Sequence, residues 1–291
     1  MTGASTGPDP PGRQHPRVVA HRGASDEVAE HTLFAFRQAL ADGADALECD
    51  VRMTRDGHLV CLHDRRLERT SDGRGVVSTK RLEQLNELDW ATWKNPWADL
   101  DDEAELPDRS QLALLTLRDL LTMVRDHPAP VELFIETKHP TRYSGWVERR
   151  LVDLLEDFGW AQPGPRGASA PVRVISDSQL SLRRMTRLAP AVPLAWVFGR
   201  ELPLRVRRGD LPRGVGGVAV SCALVRRNPE WVARMRACGH DVYVWVVNSE
   251  QDLLLCQELG VDAVITDRPR LAREVFGAGP AAGPSVERPP V

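Results

Sequence analysis

Four short stretches of the chain hold side chains that could do chemistry together: His21-Arg22, Glu48-x-Asp50, His63 and Glu136-x-Lys138. Each ends or lies within an apolar run, respectively RVVAH (17–21), DALECDV (45–51), HLVCLHD (58–64) and VELFIETK (131–138). In extended backbone, residues two apart share a face, so Glu48 aligns with Asp50 and Glu136 with Lys138. Three carboxylates gathered in this way repel one another unless a cation sits among them. An all-oxygen donor set without thiolate suits Mg2+ or Ca2+ rather than zinc, so Glu48, Asp50 and Glu136 are candidate ligands of one divalent cation. Arg22 and Lys138 suit an anionic oxygen ligand. His21 and His63 carry imidazole, a side-chain type whose unperturbed pKa of about 6.5 suits proton transfer near neutrality. The combination points to cleavage of a phosphate ester. The metal would offset phosphoryl charge while one imidazole takes a proton from the nucleophile and the other gives one to the leaving alkoxide. Which histidine does which stays open.

Eight apolar, β-branched-rich runs recur along the chain: 17–21, 45–51, 131–138, 172–176, 192–198, 217–221, 241–248 and 262–267. Most are too continuously apolar for a sheet with one wet face. Helical patterns alternate with them. Thr116-x-x-Asp119 and Ser249-x-x-Asp252 are helix starts, as is Asn228-Pro229, while Gly159, Gly239 and Gly260 are stops. Eight such units predict a closed (β/α)8 barrel, whose reactive groups sit where strands end. The crossover over 199–216, rich in Arg, Pro and Gly, is the weakest unit. HLVCLHD follows DALECDV too closely for a parallel crossover. It must turn back at Arg55-Asp56-Gly57 as a hairpin, bringing position 50 near 62 and position 49 near 63.

The expected organisation is a flexible tail over 1–16, one catalytic barrel over 17–276 with an insertion at about 65–115, and a second tail over 277–291. Trp90, Trp93 and Trp97 in the insertion are read mainly as packing groups, and the acidic run DLDDEAEL as a solvated face. A net charge of −3 provides no footprint for nucleic acid or an anionic membrane. Five scattered cysteines, at 49, 61, 222, 238 and 256, read as reduced core thiols. With no signal-type run and no stretch of about 18 apolar residues, the expectation is a cytoplasmic protein without a stable membrane anchor. Oligomeric state is not legible.

The motifs HRG…EHT, ECDV, LHD and IETK, in that order, together with GVDAVITDRP near the end, resemble the glycerophosphodiester phosphodiesterases over residues 17–270. The resemblance implies a (β/α)8 barrel that hydrolyses a small-molecule glycerophosphodiester to glycerol 3-phosphate and an alcohol with a divalent cation. By matching position it implies Glu48, Asp50 and Glu136 as metal ligands, His21 and His63 as acid and base, and Arg22 and Lys138 as phosphate contacts. Trp245 matches a substrate-facing tryptophan. Glu30-His31-Thr32 replaces the commoner Glu-Asn-Thr, and Ser176-Asp177 replaces Ser-Phe, which removes an aromatic wall. Glu30 and His31 either shape the loop before the Thr32 cap or line the pocket. Asp267 reads first as a helix-start residue, and His139 points away from the site. A lipase acting on lysophospholipid or sphingolipid diesters, and a silent barrel that only binds phosphorylated ligands, are the alternatives.

Overall fold

A strand can be apolar on both faces only if both faces are covered, and parallel pairing with helices outside achieves this. The computed structural model describes residues 15–94, 110, 112–162 and 170–277. Eight strands pair in parallel: β1 (Arg17–His21), β2 (Ala46–Met53), β4 (Glu132–Thr137), β5 (Val172–Ser176), β6 (Leu194–Phe198), β7 (Gly217–Ser221), β8 (Asp241–Trp245) and β9 (Ala263–Thr266). β1 pairs with both β2 and β9, which closes the barrel. The short β3 (Leu59–Cys61) forms the expected hairpin, antiparallel to β2 with Val51 opposite Cys61. The Leu62 N–H donates to the Asp50 carbonyl at 2.9 Å, which carries the register onward to His63.

The predicted helix starts are present. Thr116 caps α3 (Leu117–Asp126), its hydroxyl accepting from the Asp119 N–H at 3.2 Å. Ser249 does the same for α9 (Glu250–Glu258) through Asp252, and Pro229 opens α8 (Pro229–Ala237). Helices α1 (Leu33–Ala41), α4 (Trp146–Asp157), α5 (Gln179–Leu188) and α10 (Pro269–Phe276) complete most of the outer ring. The weak crossover holds only the four-residue α6 (Leu204–Arg207). Its one buried side chain, Val206, lies beside Trp231 of α8, whose indole N–H donates to the Val206 carbonyl at 2.9 Å. A further short helix, α7 (Cys222–Arg227), follows β7 without a side-chain cap, so no start signal marked it.

Cys49, Cys61, Cys222 and Cys256 are buried free thiols, but Cys238, just beyond α8, is exposed. The core-thiol expectation fails there because Cys238 caps the helix at the surface instead of lying on its inner face. After β3 the chain makes a 3-10 turn (Val77–Thr79) and the short α2 (Leu82–Asn86). A small separate core of Leu62, Leu67, Val77, Leu85, Trp90 and Leu114 forms there. Trp90 is buried within it, its indole N–H donating to the Leu85 carbonyl at 2.8 Å. Trp97 and the acidic run lie outside the described residues, as do nearly all of both expected tails; His15 stacks on Phe276 with ring centroids 5.6 Å apart.

Inside the barrel, Val19, Ala46, Ile175, Ala195, Ala219 and Ile265 pack around Phe134 and Tyr243. The floor holds a charge. Arg173 is 4 % exposed, with its guanidinium 5.5 and 5.0 Å from the ring centroids of Phe134 and Tyr243. It donates to Glu132 at 3.3 Å and to Asp241 at 3.2 Å, and the Tyr243 hydroxyl donates to the same Asp241 at 2.6 Å. Among the described residues, removing Arg173 leaves Glu132 to Arg17 alone and Asp241 to the Tyr243 hydroxyl alone, so each half-buried carboxylate loses a charged partner. Arg173→Met is expected to cost about 2–3 kcal/mol of unfolding free energy, measured from urea midpoints, with turnover unaffected. A cost under about 0.5 kcal/mol, the usual range for a surface change, contradicts this account of the floor.

Candidate active site

Parallel register carries the carboxylates together. His21 lies opposite Glu48 on the β1–β2 ladder, and Asp50 lies opposite Glu136 on the β2–β4 ladder. One oxygen from each of Glu48, Asp50 and Glu136 lies within 4.8 Å of the others. Two cations from the same strand ends enter this cluster. Lys138 Nζ stands 2.8 Å from both Asp50 Oδ1 and Glu136 Oε1, and Arg22 Nε stands 2.9 Å from Asp50 Oδ2. Among the described residues Glu48 receives only the backbone N–H of Arg22, at 3.2 Å.

The electrostatics follow. Burial, with repulsion from Asp50 and Glu136, pushes Glu48 well above the usual carboxylate range. Burial also raises Glu136, to about 7, against the pull of Lys138. Asp50 is equally buried, yet Lys138 and Arg22 outweigh burial and hold it below its ordinary value. Three carboxylates therefore face two cations, and the surplus is stored as a raised proton affinity. Oxygen-only donors with uncompensated charge fit a hard divalent cation.

Both histidines are backed by carboxylates. His21 Nδ1 is 2.6 Å from Asp267 Oδ1, and His63 Nδ1 is 2.6 Å from Asp64 Oδ1. An ionised carboxylate only accepts, so each Nδ1 carries the hydrogen and each Nε2 is left as the working nitrogen. Burial lowers the His63 pKa, against the opposing pull of Asp50. Asp267 also accepts from Ser25 Oγ at 2.8 Å and Asn248 Nδ2 at 2.6 Å; despite burial, these bonds and His21 hold it well below the carboxylate range. The sequence reads Asp267 first as a helix-start residue and second as a site residue; Arg268 occupies the α10 cap position, and Asp267 meets His21. Its place at the end of β9 was the available signal. Asp64 stood in the LHD motif without an assignment.

Glu30 and His31 form a supporting layer. His31 is buried and its Nε2 accepts the backbone N–H of Asp50 at 3.0 Å. Burial holds its pKa at about 3, so the ring is neutral. Glu30 receives Arg22 at 3.0 Å and both terminal nitrogens of Arg69 at 2.7 Å, and Arg69 also reaches Asp64 at 2.7 Å. Arg22 (φ 61°) and His31 (φ 60°) both adopt left-handed backbone, a conformation that costs about 1–3 kcal/mol outside glycine. Gly23 (φ +87°) has no room for a side chain, since a Cβ there would lie 2.6 Å from the Ala35 carbonyl carbon.

Trp245, at the end of β8, packs against the barrel interior and over Gly199, where a Cβ would come within 2.8 Å of the indole. His139 points outward to Glu148 of α4, at 3.2 Å, as expected. Ser176 is buried, donating to the Thr137 carbonyl at 2.9 Å. Trp93 lies beneath Arg69, whose guanidinium carbon is 5.9 Å from its ring centroid.

Fold and site together define a (β/α)8 barrel hydrolase with an acidic cluster and two imidazoles at its mouth. The sequence matches the model of the glycerophosphoryl diester phosphodiesterase family over residues 21–271. It is 42% identical over 271 residues to a Mycobacterium tuberculosis protein named "Probable glycerophosphodiester phosphodiesterase 1", covering 92% of this chain and 95% of the relative. A Bacillus subtilis glycerophosphodiester phosphodiesterase is 31% identical over 262 residues, covering 89% and 85%. The fold is similar to that of an Oleispira antarctica phosphodiesterase solved with the product sn-glycerol-3-phosphate, with a TM-score of 0.74 at 24% identity over 91% of this chain and 98% of the other. The chain belongs to the glycerophosphoryl diester phosphodiesterase family, and it is an enzyme, a phosphoric diester hydrolase. Among the described residues no helix is long and apolar enough to cross a membrane.

Glu30 provides a test of the supporting layer. Burial alone would raise its carboxyl, but the Arg69 hydrogen bonds and the charge of Arg22 outweigh it and bring the pKa to about 2. A carboxylate held below its unfolded value contributes stability that is complete above that value, 4.5, and is lost as pH falls toward 2. Glu30→Gln is therefore expected to cost more stability at about pH 6 than at about pH 3 in urea titrations. An equal cost at both removes the charge as its cause.

Proposed function

We propose that this chain hydrolyses glycerophosphodiesters to glycerol 3-phosphate and an alcohol, with one divalent cation and with His21 and His63 moving the protons. The observation that carries this reading is the meeting of three carboxylates, with one more negative charge than the two cations beside them, and two carboxylate-backed imidazoles. Glu48, Asp50 and Glu136 would hold the cation, Mg2+ or Ca2+. When bound, it would polarise a phosphoryl oxygen and offset charge in the transition state.

The chain's own groups do the rest. Arg22 and Lys138 bind the anionic phosphoryl oxygens, exchanging part of their pairing with Asp50 and Glu136 for the substrate. One imidazole Nε2 accepts the proton of the attacking hydroxyl, either water or the glycerol 2-hydroxyl. The other donates its proton to the alkoxide as the bond from phosphorus to the leaving oxygen breaks. Asp267 and Asp64 keep each ring in the tautomer and orientation that this exchange needs. Trp245 forms an apolar wall beside the reacting centre. The charged lining of the site, three carboxylates with Arg22 and Lys138, favours small polar diesters over lipid substrates. The cytoplasm is the proposed compartment, consistent with five cysteines free of disulfides.

Release of glycerol 3-phosphate from glycerophosphocholine tests the reading. Chelation is expected to abolish it and added Mg2+ or Ca2+ to restore it. His63→Ala is expected to lower kcat by about 10²–10⁴-fold with the fold intact by circular dichroism. Activity indifferent to chelator and to His63→Ala would falsify the mechanism.

A further inference from the structure

Beside the acidic cluster, the barrel rim carries a narrow cleft lined by Arg52, Arg65, Ser78, Lys138, Thr141 and Arg142 among others, which opens onto a space of about 360 Å³ bordered by Arg65, Ser78, Thr141 and Arg142; among the described residues no carboxylate lines either. Its position follows from strand alternation. Arg52 is two residues beyond Asp50 on β2 and shares its face, as Lys138 does with Glu136 at the end of β4. Lys138 belongs both to the cleft and to the acidic cluster, so the two spaces adjoin.

The cations differ in how they are paired. Lys138 is taken up by Asp50 and Glu136, and Arg52 donates to the His63 carbonyl at 2.8 Å. Arg65 and Arg142 are exposed, and among the described residues neither pairs with a carboxylate. Arg52 feels the attraction of Asp50, Asp64 and Glu136 as well as the repulsion of Arg65, so it is the exposed pair Arg65 and Arg142 that the cleft leaves for a ligand. Arg65 and Arg142 both line the cleft, and an anion between them would supply the partner that the described carboxylates do not.

The walls are also held in place. The Tyr143 hydroxyl donates to the Ser78 carbonyl at 2.6 Å, tying the loop after β4 to the 3-10 turn. The Val77 N–H donates to the Arg65 carbonyl at 3.1 Å, and the Tyr143 N–H to Thr141 Oγ1 at 3.2 Å. Although the chain has a net charge of −3, the charged residues that line this cleft are all basic.

We propose that the cleft is a specificity subsite for a second phosphate, a monoester carried on the alcohol half of the diester. The glycerol half has no second anionic group, so a further anion can lie only on the alcohol. Guanidiniums bind phosphate through paired hydrogen bonds, which ammonium groups and hydroxyls do less selectively. This inference rests on the diesterase reading above and adds a preference among its substrates.

The test compares glycerophosphoinositol with glycerophosphoinositol 4-phosphate, for the parent and for an Arg65→Ser/Arg142→Ser double variant. The parent is expected to favour the phosphorylated diester by at least about tenfold in kcat/KM. The double variant is expected to lose that preference while cutting unphosphorylated glycerophosphoinositol as the parent does. Calorimetric titration with inositol 4-phosphate provides a readout that needs no turnover: binding to the parent, and none to the double variant. A parent without preference, or a double variant that retains preference or binding, overturns the subsite. Failure to cut either diester, with binding still dependent on the two arginines, overturns the diesterase reading and leaves the cleft standing.

Discussion

Three carboxylates forced together in a buried place are the constraint around which the mouth of this barrel is arranged. Two like charges about 4 Å apart repel by about 4 kcal/mol at an effective dielectric of about 20, so a trio cannot stay ionised without partners. Lys138 and Arg22 answer Asp50 directly, which is why Asp50 stays charged while burial and its neighbours raise Glu48 and Glu136. The arrangement is tense toward cations and receptive to them. The same two basic groups that hold it are the ones placed to receive an anion.

Outward from the cluster, each layer fixes the one inside it. His31 holds the backbone N–H of Asp50, and Glu30 holds Arg22. Arg69 then links Glu30 to Asp64, which orients His63. Lys94, from the segment after β3, donates to the Ser25 carbonyl at 2.8 Å, and Ser25 in turn donates to Asp267. The segment after β3 thus touches the supports of both imidazoles. Left-handed backbone at Arg22 and His31 is tolerated because so many bonds converge on that loop.

The two ends of the barrel use charge differently. At the floor, Arg173 is enclosed by two rings and meets its carboxylates fully, so its electrostatic demand is satisfied within the protein. At the mouth, among the described residues, demands are left partly unmet, by Glu48 within the cluster and by Arg65 and Arg142 in the adjoining cleft. Charge paired within the protein is costly to break, and unsatisfied charge is what a ligand can recognise.

Much of this was readable in residue order alone. Period-two alternation placed Glu48 with Asp50 and Glu136 with Lys138, continuous apolar runs required a covered parallel sheet, and a short connection required the hairpin that brings His63 round. Those inferences are local or depend on chain length, which sequence contains directly. Asp267 against His21, Arg69 against Glu30, and the cleft shared by Arg52, Arg65 and Arg142 join positions separated by tens to hundreds of residues. Their partners are chosen by barrel closure and by how the segment after β3 folds onto the rim. No periodicity encodes that choice, so only the tertiary structure could decide which charges meet and which remain free.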